Sequence, residues 1–474
     1  MEVTLHATTF GQLARTRILL VTHRYPPHHT AGVEQYARQI ALALHGRAEV
    51  VVATTRKIIS LPTGTIRRRI ADGLPVIEVA NNLVYEQIDE AWNNQKMEAA
   101  FATILDETKP DLVHFQHLLN WSAGCLPIAR ERELPVFVTL HDYWLMCFRF
   151  GQMVDHLNRT CPAPSRTICA PCMAQTKFRQ PDTARPWVSR LIAFRRLTKL
   201  PLDDVLRFAR RFTPAPKTDN RNLTPAEENE WGEAFERRSR DLRAAVDSAT
   251  RLLTPSRTLE RAMIAWGIET DRIVQLPQGL DHTLFEGVPP IRRAPRLRIA
   301  YVGQIAPHKG VHVLIDAVQA MDPESVELTV CGSSAHFPDY GRQLASQVHR
   351  SHRIRFTGPV SRTELVRLYG DFDVLCVPSL WNECCPLTIQ ESQMAGRPCV
   401  VSALGGMAEL VRHDVDGLQV PPGDVEAWTA ALERLVDEPE LLSRLAASAP
   451  PVPTIDEHVD ALLEIYGATA PLAQ

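Results

Sequence analysis

Two glutamates eight residues apart, Glu383 and Glu391, lie in the stretch Pro378–Leu410, PSLWNECCPLTIQESQMAGRPCVVSALGGMAEL. The residues before them, Val374, Leu375, Cys376 and Val377, make a short apolar run that stops at Pro378, the pattern of a parallel strand buried on both faces. Pro386 suits the first turn of a following helix. Glu383 is therefore expected in the loop past the strand's carboxyl end, and Glu391 one or two turns into the helix. Open α/β sheets bind ligands at that edge. A carboxylate well inside a helix suits a neutral diol such as a ribose, because a phosphate prefers the N–H groups at a helix start. A second apolar strand, 398–402, and a Gly405-Gly406 turn come next.

Other residues of chemical interest also follow apolar runs. LRIAYVG (297–303) leads into GQIAPHKG (303–310), where Gly303, Gln304 and Lys309 could cradle a phosphate. The bland alternative is a surface loop with a lysine at a helix start. After RILLVTH (17–23), Gly32 precedes a helical pattern, so N–H groups there could approach a phosphate or sugar closely; a plain turn is the competing reading. His141 and Asp142 follow LPVFVTL (134–140), and His114 and His117 sit at the end of DLVHFQ (111–116). A lone histidine is more often structural, but three on one rim point to a polar pocket, with His141 ahead of His117 and His114 last.

The Glu383/Glu391 pair, the small-residue helix end Met394-Ala395-Gly396, Pro398, and the GG-x-x-E of Gly405, Gly406 and Glu409 together resemble the signature of the family 4 glycosyltransferases. That resemblance implies the GT-B fold, two Rossmann-like doubly wound α/β domains facing across a cleft. It also implies a retaining transfer from a nucleotide-diphosphate sugar to a hydroxyl acceptor, expected in cell-surface glycan or glycolipid synthesis; the acceptor itself stays open between a glycan or lipid-linked glycan, a polysaccharide precursor and a small metabolite. Under it Glu391 binds the ribose, Glu383 the donor sugar, and Lys309 the leaving diphosphate. Gly405 and Gly406 shape the sugar pocket, Gly32, Gly303, Gln304 and Leu387 border the donor, and His141 stands where donor meets acceptor. His114, His117 and Asp142 fall on the acceptor side. The resemblance implies no metal or other cofactor for the chemistry. The family usually has Arg where this chain has Gln304, so one positive charge is missing or is supplied elsewhere, and it often has Gly where this chain has Ala31.

These residues need a frame. At 474 residues the chain is too long for one core. Strand-like runs alternate with helical patterns from 17 onward and restart at 297, after the Pro- and Arg-rich join 287–296. The expected organisation is an acceptor-side domain over 17–286, a nucleotide-sugar domain over 297–450, and a segment 451–474 that, by resemblance, crosses back to the first domain. Residues 173–250 interrupt the alternation. Between 177 and 217 lie 11 Lys/Arg against 3 Asp, with Leu202, Val205, Leu206, Ala209 and Phe212 on one helical face. This reads either as a peripheral contact with an anionic membrane or as a helical insertion packed on the first domain. The charged run Asp219–Glu236 reads as a mobile connector.

Composition narrows the classes. A net charge of -3 argues against general nucleic-acid binding. No apolar run reaches membrane-span length, and the N-terminus lacks a signal pattern, so a cytoplasmic location, at most on the inner membrane face, is expected. Cys147, Cys161, Cys169 and Cys172 fall within 26 residues. They suit a structural zinc or iron–sulfur site, or a set of reduced thiols. Asp371/Asp373 and Asp414/Asp416 form D-x-D strings that read as a strand start and a turn rather than a metal–diphosphate site. Other readings of the whole chain are a glycoside hydrolase using Glu383 and Glu391, a sugar-nucleotide epimerase, and a non-catalytic subunit that keeps the fold. The Lys309 loop has no purpose in a hydrolase, and intact Glu383, Lys309 and Glu391 argue against the subunit.

Overall fold

The computed structural model describes residues 16–28, 32–58, 60–175, 223–291 and 294–469. Two sheets organise them. The first contains β1 (Arg17–Thr22), β2 (Glu49–Arg56), β3 (Ile66–Ala71), β4 (Leu74–Ala80), β5 (Leu112–Phe115), β6 (Val136–Thr139), β7 (Arg251–Thr254) and β8 (Ile273–Gln275). Their order is β3-β4-β2-β1-β5-β6-β7-β8, parallel except for the antiparallel β3–β4 hairpin at one edge. The second contains β9 (Leu297–Val302), β10 (Val326–Cys331), β11 (Ile354–Gly358), β12 (Val374–Val377), β13 (Cys399–Ser402) and β14 (Gly417–Val420). It is wholly parallel, in the order β11-β10-β9-β12-β13-β14.

Apart from the edge strand β3, each sheet is buried on both faces, as its continuous apolar strands require. Leu19 and Val21 of β1 enter one core cluster while Ile18 and Leu20 enter another. In β9, Ile299 and Tyr301 face one cluster and Ala300 the other. Strand succession reverses between β9 and β12 in the second sheet and between β1 and β5 in the first. Such switch points open a crevice at the carboxyl ends of the strands, and both crevices face the same cleft. The expected two-domain α/β architecture is the observed one.

The C-terminal helix Ile455–Thr469 lies on the first domain, where Val459, Leu462, Leu463 and Tyr466 complete the cluster holding Tyr36, Ile40 and Leu44. It is led there by Leu280 N–H donating to Pro453 O (3.0 Å) and Ile455 N–H to Leu280 O (2.9 Å).

The connector expected over Asp219–Glu236 is corrected from Pro225 onward, where a regular helix runs to Val246. Thr224 and Glu227 form its capping box, and Ala234, Arg238, Leu242, Ala245 and Val246 are buried along one side. Charge on its exposed side had masked that stripe. The basic stretch 177–217 lies outside the described residues. No described helix is long and apolar enough to cross a membrane.

Candidate active site

The helix after β12 spans Leu387–Met394 with Pro386 as its N-cap, which puts Glu391 one turn inside it and Glu383 in the preceding loop. Two glycines let the neighbouring loops close on that region. Gly310 has φ 67° and passes so near the loop after β12 that a Cβ would stand 1.9 Å from Pro378 O. A Cβ on Gly406 would lie 2.0 Å from Cys384 O, and Gly406 N–H donates to Glu383 O at 2.7 Å. The chain ends of β9 and β12 are further tied by Leu380 N–H donating to His308 O at 2.8 Å.

Lys309 Nζ consequently reaches Glu383 Oε1 at 2.5 Å, with the ammonium 4.9 Å from the centre of the Trp381 ring. The same carboxylate oxygen accepts from Ser379 Oγ at 2.7 Å. Glu391 is deeper. Arg362 pairs with one of its oxygens, and Tyr369 O–H donates to the other at 3.0 Å. Arg362 in turn lies 5.7 Å from the centre of the Phe285 ring. Gln304 donates to His336 Nδ1 at 3.1 Å and is not on the cleft wall.

Between the domains lies a cleft of about 560 Å³. Lys309, Gly303, Glu383 and Leu387 line it from one side, and Gly32, His117, His141 and Asp142 from the other. The neutral amide of Gln278 donates to His141 Nδ1 at 3.1 Å, which leaves the ring proton on Nε2. Nε2 is buried without a partner. Burial brings the His141 pKa down to about 3, so this ring, in the cleft wall, is a neutral N–H donor. His117 is also held as one tautomer. Leu119 N–H donates to its Nδ1 (2.9 Å), and its Nε2–H donates to Asp142 (3.1 Å). Burial alone would raise the Asp142 pKa, but His117 and the Trp144 N–H more than offset it and hold the acid ionised.

His114 is a correction. It is 1% exposed, turned from the cleft into the core, with Nδ1 2.5 Å from Tyr466 O–H and Nε2 2.8 Å from Thr139 Oγ1. Side chains alternate across a strand, so a position in β5 had even odds of facing the core.

Three of the four D-x-D aspartates are held by ion pairs. Asp373 meets Arg298 at 2.6 Å, Asp414 meets Arg434 at 2.6 Å, and Arg412 holds Asp416. Among the described residues no group of three or more His, Cys, Asp or Glu is arranged to hold a metal ion, and none of the ten cysteines is in a disulfide.

Sequence reasoning missed several cleft residues. His23 Nε2 lies 3.4 Å from Glu34 Oε1, and its ring stands 4.8 Å from that of His117. Burial keeps His23 neutral, and Glu34 stays ionised despite burial through its bond to His23. Arg24 lines the same wall. A signal existed for His23 and Arg24, which directly follow β1. Arg362 and Phe285 carried none, being distant in sequence from Glu391. Glu409 also gained a definite task. It accepts from Arg257 N–H at 2.8 Å and from Thr258 Oγ1, joining the second domain to the first.

Family models and relatives agree on what the chain resembles. Residues 291–450 match the model described as glycosyl transferases group 1, and residues 31–197 match the glycosyl transferase 4-like domain. A D-inositol 3-phosphate glycosyltransferase of Corynebacterium glutamicum is 35% identical over 158 residues, 32% of this chain and 38% of that protein. One from Xylanimonas cellulosilytica is 33% identical over 222 residues, 42% of this chain and 52% of that protein. The chain thus spans between about two fifths and half the length of these two curated relatives. Among solved structures, Anabaena HepE in complex with UDP and glucose superposes with a TM-score of 0.60 at 16% identity, covering 96% of this chain and all of that one. Sucrose-phosphate synthase from Thermosynechococcus elongatus gives 0.61 at 18%, covering 96% of both chains. At such identities the likeness is one of fold, the GT-B fold.

Proposed function

The chain belongs to the glycosyl transferases of group 1, and from that premise we propose that it moves a sugar from a nucleotide-diphosphate donor to a hydroxyl of a glycan or lipid-linked acceptor, with retention at the anomeric carbon. The supporting observation is the convergence of Lys309 and Glu383 at the carboxyl ends of β9 and β12, opposite the Nε2–H of His141.

In this reading the donor diphosphate takes the Lys309 ammonium from Glu383. Charge grows on the diphosphate as the bond from its oxygen to the anomeric carbon breaks, so a cation placed there stabilises the transition state more than the ground state. Arg24, on the facing wall, supplies the second positive charge that Gln304 does not. Glu383, released, accepts from a donor-sugar hydroxyl, and His141 donates to another. Glu391 accepts from the ribose diol while keeping Tyr369. The acceptor oxygen attacks the anomeric carbon on the face the diphosphate leaves, and the acceptor's proton passes to the departing phosphate oxygen. No protein nucleophile takes part. The wall made by Glu34–His23 and His117–Asp142 holds the acceptor hydroxyls. The reaction serves cell-surface glycan or glycolipid synthesis from the cytoplasmic side.

A non-catalytic subunit is the second reading, favoured by one observation, the absence of a cation at Gln304. Both are tested by incubating the protein with UDP-, GDP- and ADP-sugars and a panel of glycan and lipid-linked acceptors, and following product by NMR. A glycoside with the donor's anomeric configuration supports transfer with retention, and an inverted product refutes retention. Nucleotide binding without any product favours the subunit.

A further inference from the structure

The segment that leaves β8, Pro277 to Leu280, is fixed one residue at a time by other elements. Pro277 O accepts from His458 Nδ1–H at 2.7 Å. Gln278 O accepts from Gln390 Nε2–H at 3.1 Å. Gly279 runs so close to the C-terminal helix that a Cβ would stand 2.5 Å from His458 Cβ. Leu280 exchanges main-chain bonds with Pro453 and Ile455. A carbonyl oxygen only accepts, so His458 carries its proton on Nδ1 and Gln390 presents its nitrogen to Gln278. The far ends of both side chains are held as well. His458 Nε2 accepts from Tyr36 O–H at 2.7 Å, and Gln390 Oε1 accepts from the Cys385 thiol at 3.6 Å.

With its backbone pinned, the Gln278 side chain bonds to His141 Nδ1. It is 4% exposed and lines the cleft, and its Oε1 is buried without a partner. Native interiors seldom leave a buried amide oxygen unpaired, and costs of that kind are retained where a side chain serves a site. The edge of Tyr36 rests on the same imidazole, with ring centres 5.0 Å apart. His458 therefore reaches His141 by two routes, through Tyr36 and through Pro277 and Gln278. Gln390 directly precedes Glu391 on the helix Leu387–Met394. It is 3% exposed, and its bond to Gln278 joins the second domain to the first.

We infer that Gln278 is a positioning residue. It holds the His141 proton on Nε2 and, through Gln390, ties that ring to the helix carrying Glu391. What Nδ1 of a histidine is given decides whether Nε2 donates or accepts, and an amide N–H at Nδ1 leaves a donor at Nε2. The assignment deepens the proposed transfer and rests on His141 donating to a hydroxyl of the donor sugar. It makes Gln278 a determinant of sugar recognition and leaves the nucleotide to the second domain.

The test uses the full chain, in two measurements. Long-range ¹H–¹⁵N spectra at pH 8, with the histidine ring nitrogens labelled, report the His141 tautomer; its signals are those lost in His141→Gln. The Nε2–H form is expected in wild type and the Nδ1–H form in Gln278→Glu, whose carboxylate can only accept. Calorimetry then compares UDP-, GDP- and ADP-glucose with the bare diphosphates. Gln278→Met should bind the nucleotide-glucose that wild type binds about tenfold more weakly, the loss of about one hydrogen bond, and the diphosphate within about twofold. Gln390→Met should shift the two ligands in the same unequal way. If Gln278→Glu does not fold, the wild-type tautomer and Gln278→Met decide. An Nδ1–H tautomer in wild type, an unchanged tautomer in Gln278→Glu, or equal losses for nucleotide-glucose and diphosphate overturns the inference. A wild type that binds no nucleotide refutes the transfer reading instead, and the tautomers still decide the role of Gln278.

Discussion

Acidification should loosen the core behind the cleft before it affects the carboxylate pairs. Three histidine rings lie there. His114 bonds to Tyr466 and Thr139, His458 bonds to Tyr36 O–H (2.7 Å) and Pro277 O (2.7 Å), and His141 stands against Tyr36. Burial pushes their pKa values down to about 3, 4 and 3, respectively. A base whose pKa is depressed on folding contributes stability that is full above the unfolded value and is lost as pH falls from there toward the folded one. The window is therefore pH 6.5 down to about 4. At pH 5.5 an unfolded imidazole binds about 0.9 proton and the folded ring almost none, a slope of about 1.2 kcal/mol per pH unit per ring. From pH 6.5 to 5.0 each ring costs about 1.6 kcal/mol and the three about 5 kcal/mol. Urea unfolding followed by tryptophan fluorescence at half-unit pH steps measures the slope. His114→Gln and His458→Gln should each flatten it by about one proton, whatever they do to absolute stability. Variants whose slopes match wild type would refute the argument that folding keeps these rings neutral.

Further outcomes follow from the cleft. Lys309→Ala should lower kcat by about 10²–10³, as loss of a preorganised charge at a leaving group does, with the far-UV circular dichroism unchanged; steady-state kinetics with the nucleotide sugar that wild type turns over checks it. Gly310→Ala should cost more than about 2 kcal/mol in the second domain, because the position combines a left-handed backbone with a Cβ 1.9 Å from Pro378 O; the denaturant midpoint reads this directly. Glu409→Gln should weaken the join to Arg257 and Thr258, seen as a larger radius of gyration in solution scattering and unchanged thermal stability of either domain.

The alternating apolar runs made most parallel strands legible, because a strand buried on both faces must be continuously apolar. The β3–β4 hairpin was not legible. Its outer strand, IRRRIA, is an edge strand whose arginines face solvent or ion pairs, so it carries no apolar alternation. β7 and β8 are too short to stand out. In the site, Glu383, Glu391 and Lys309 were readable because each sits just past a strand end or within a turn of a helix start, where position in sequence fixes position in the cleft. Arg362 meets Glu391 only through the stacking of two helices, and His114 was misplaced because the face of a strand residue depends on register. The helix Pro225–Val246 was hidden because its buried stripe includes an arginine.

The most direct test of the central claim is nucleotide-dependent thermal stabilisation of wild type and Glu391→Gln with UDP, GDP, ADP and their sugar conjugates. A ligand bound only by the folded state raises the melting temperature. The account predicts a shift selective for one base in wild type, largely lost in Glu391→Gln, whose carboxylate would otherwise contribute about 1.5–3 kcal/mol through charge-assisted bonds. Equal shifts in both proteins, or none in a folded wild type, would contradict it.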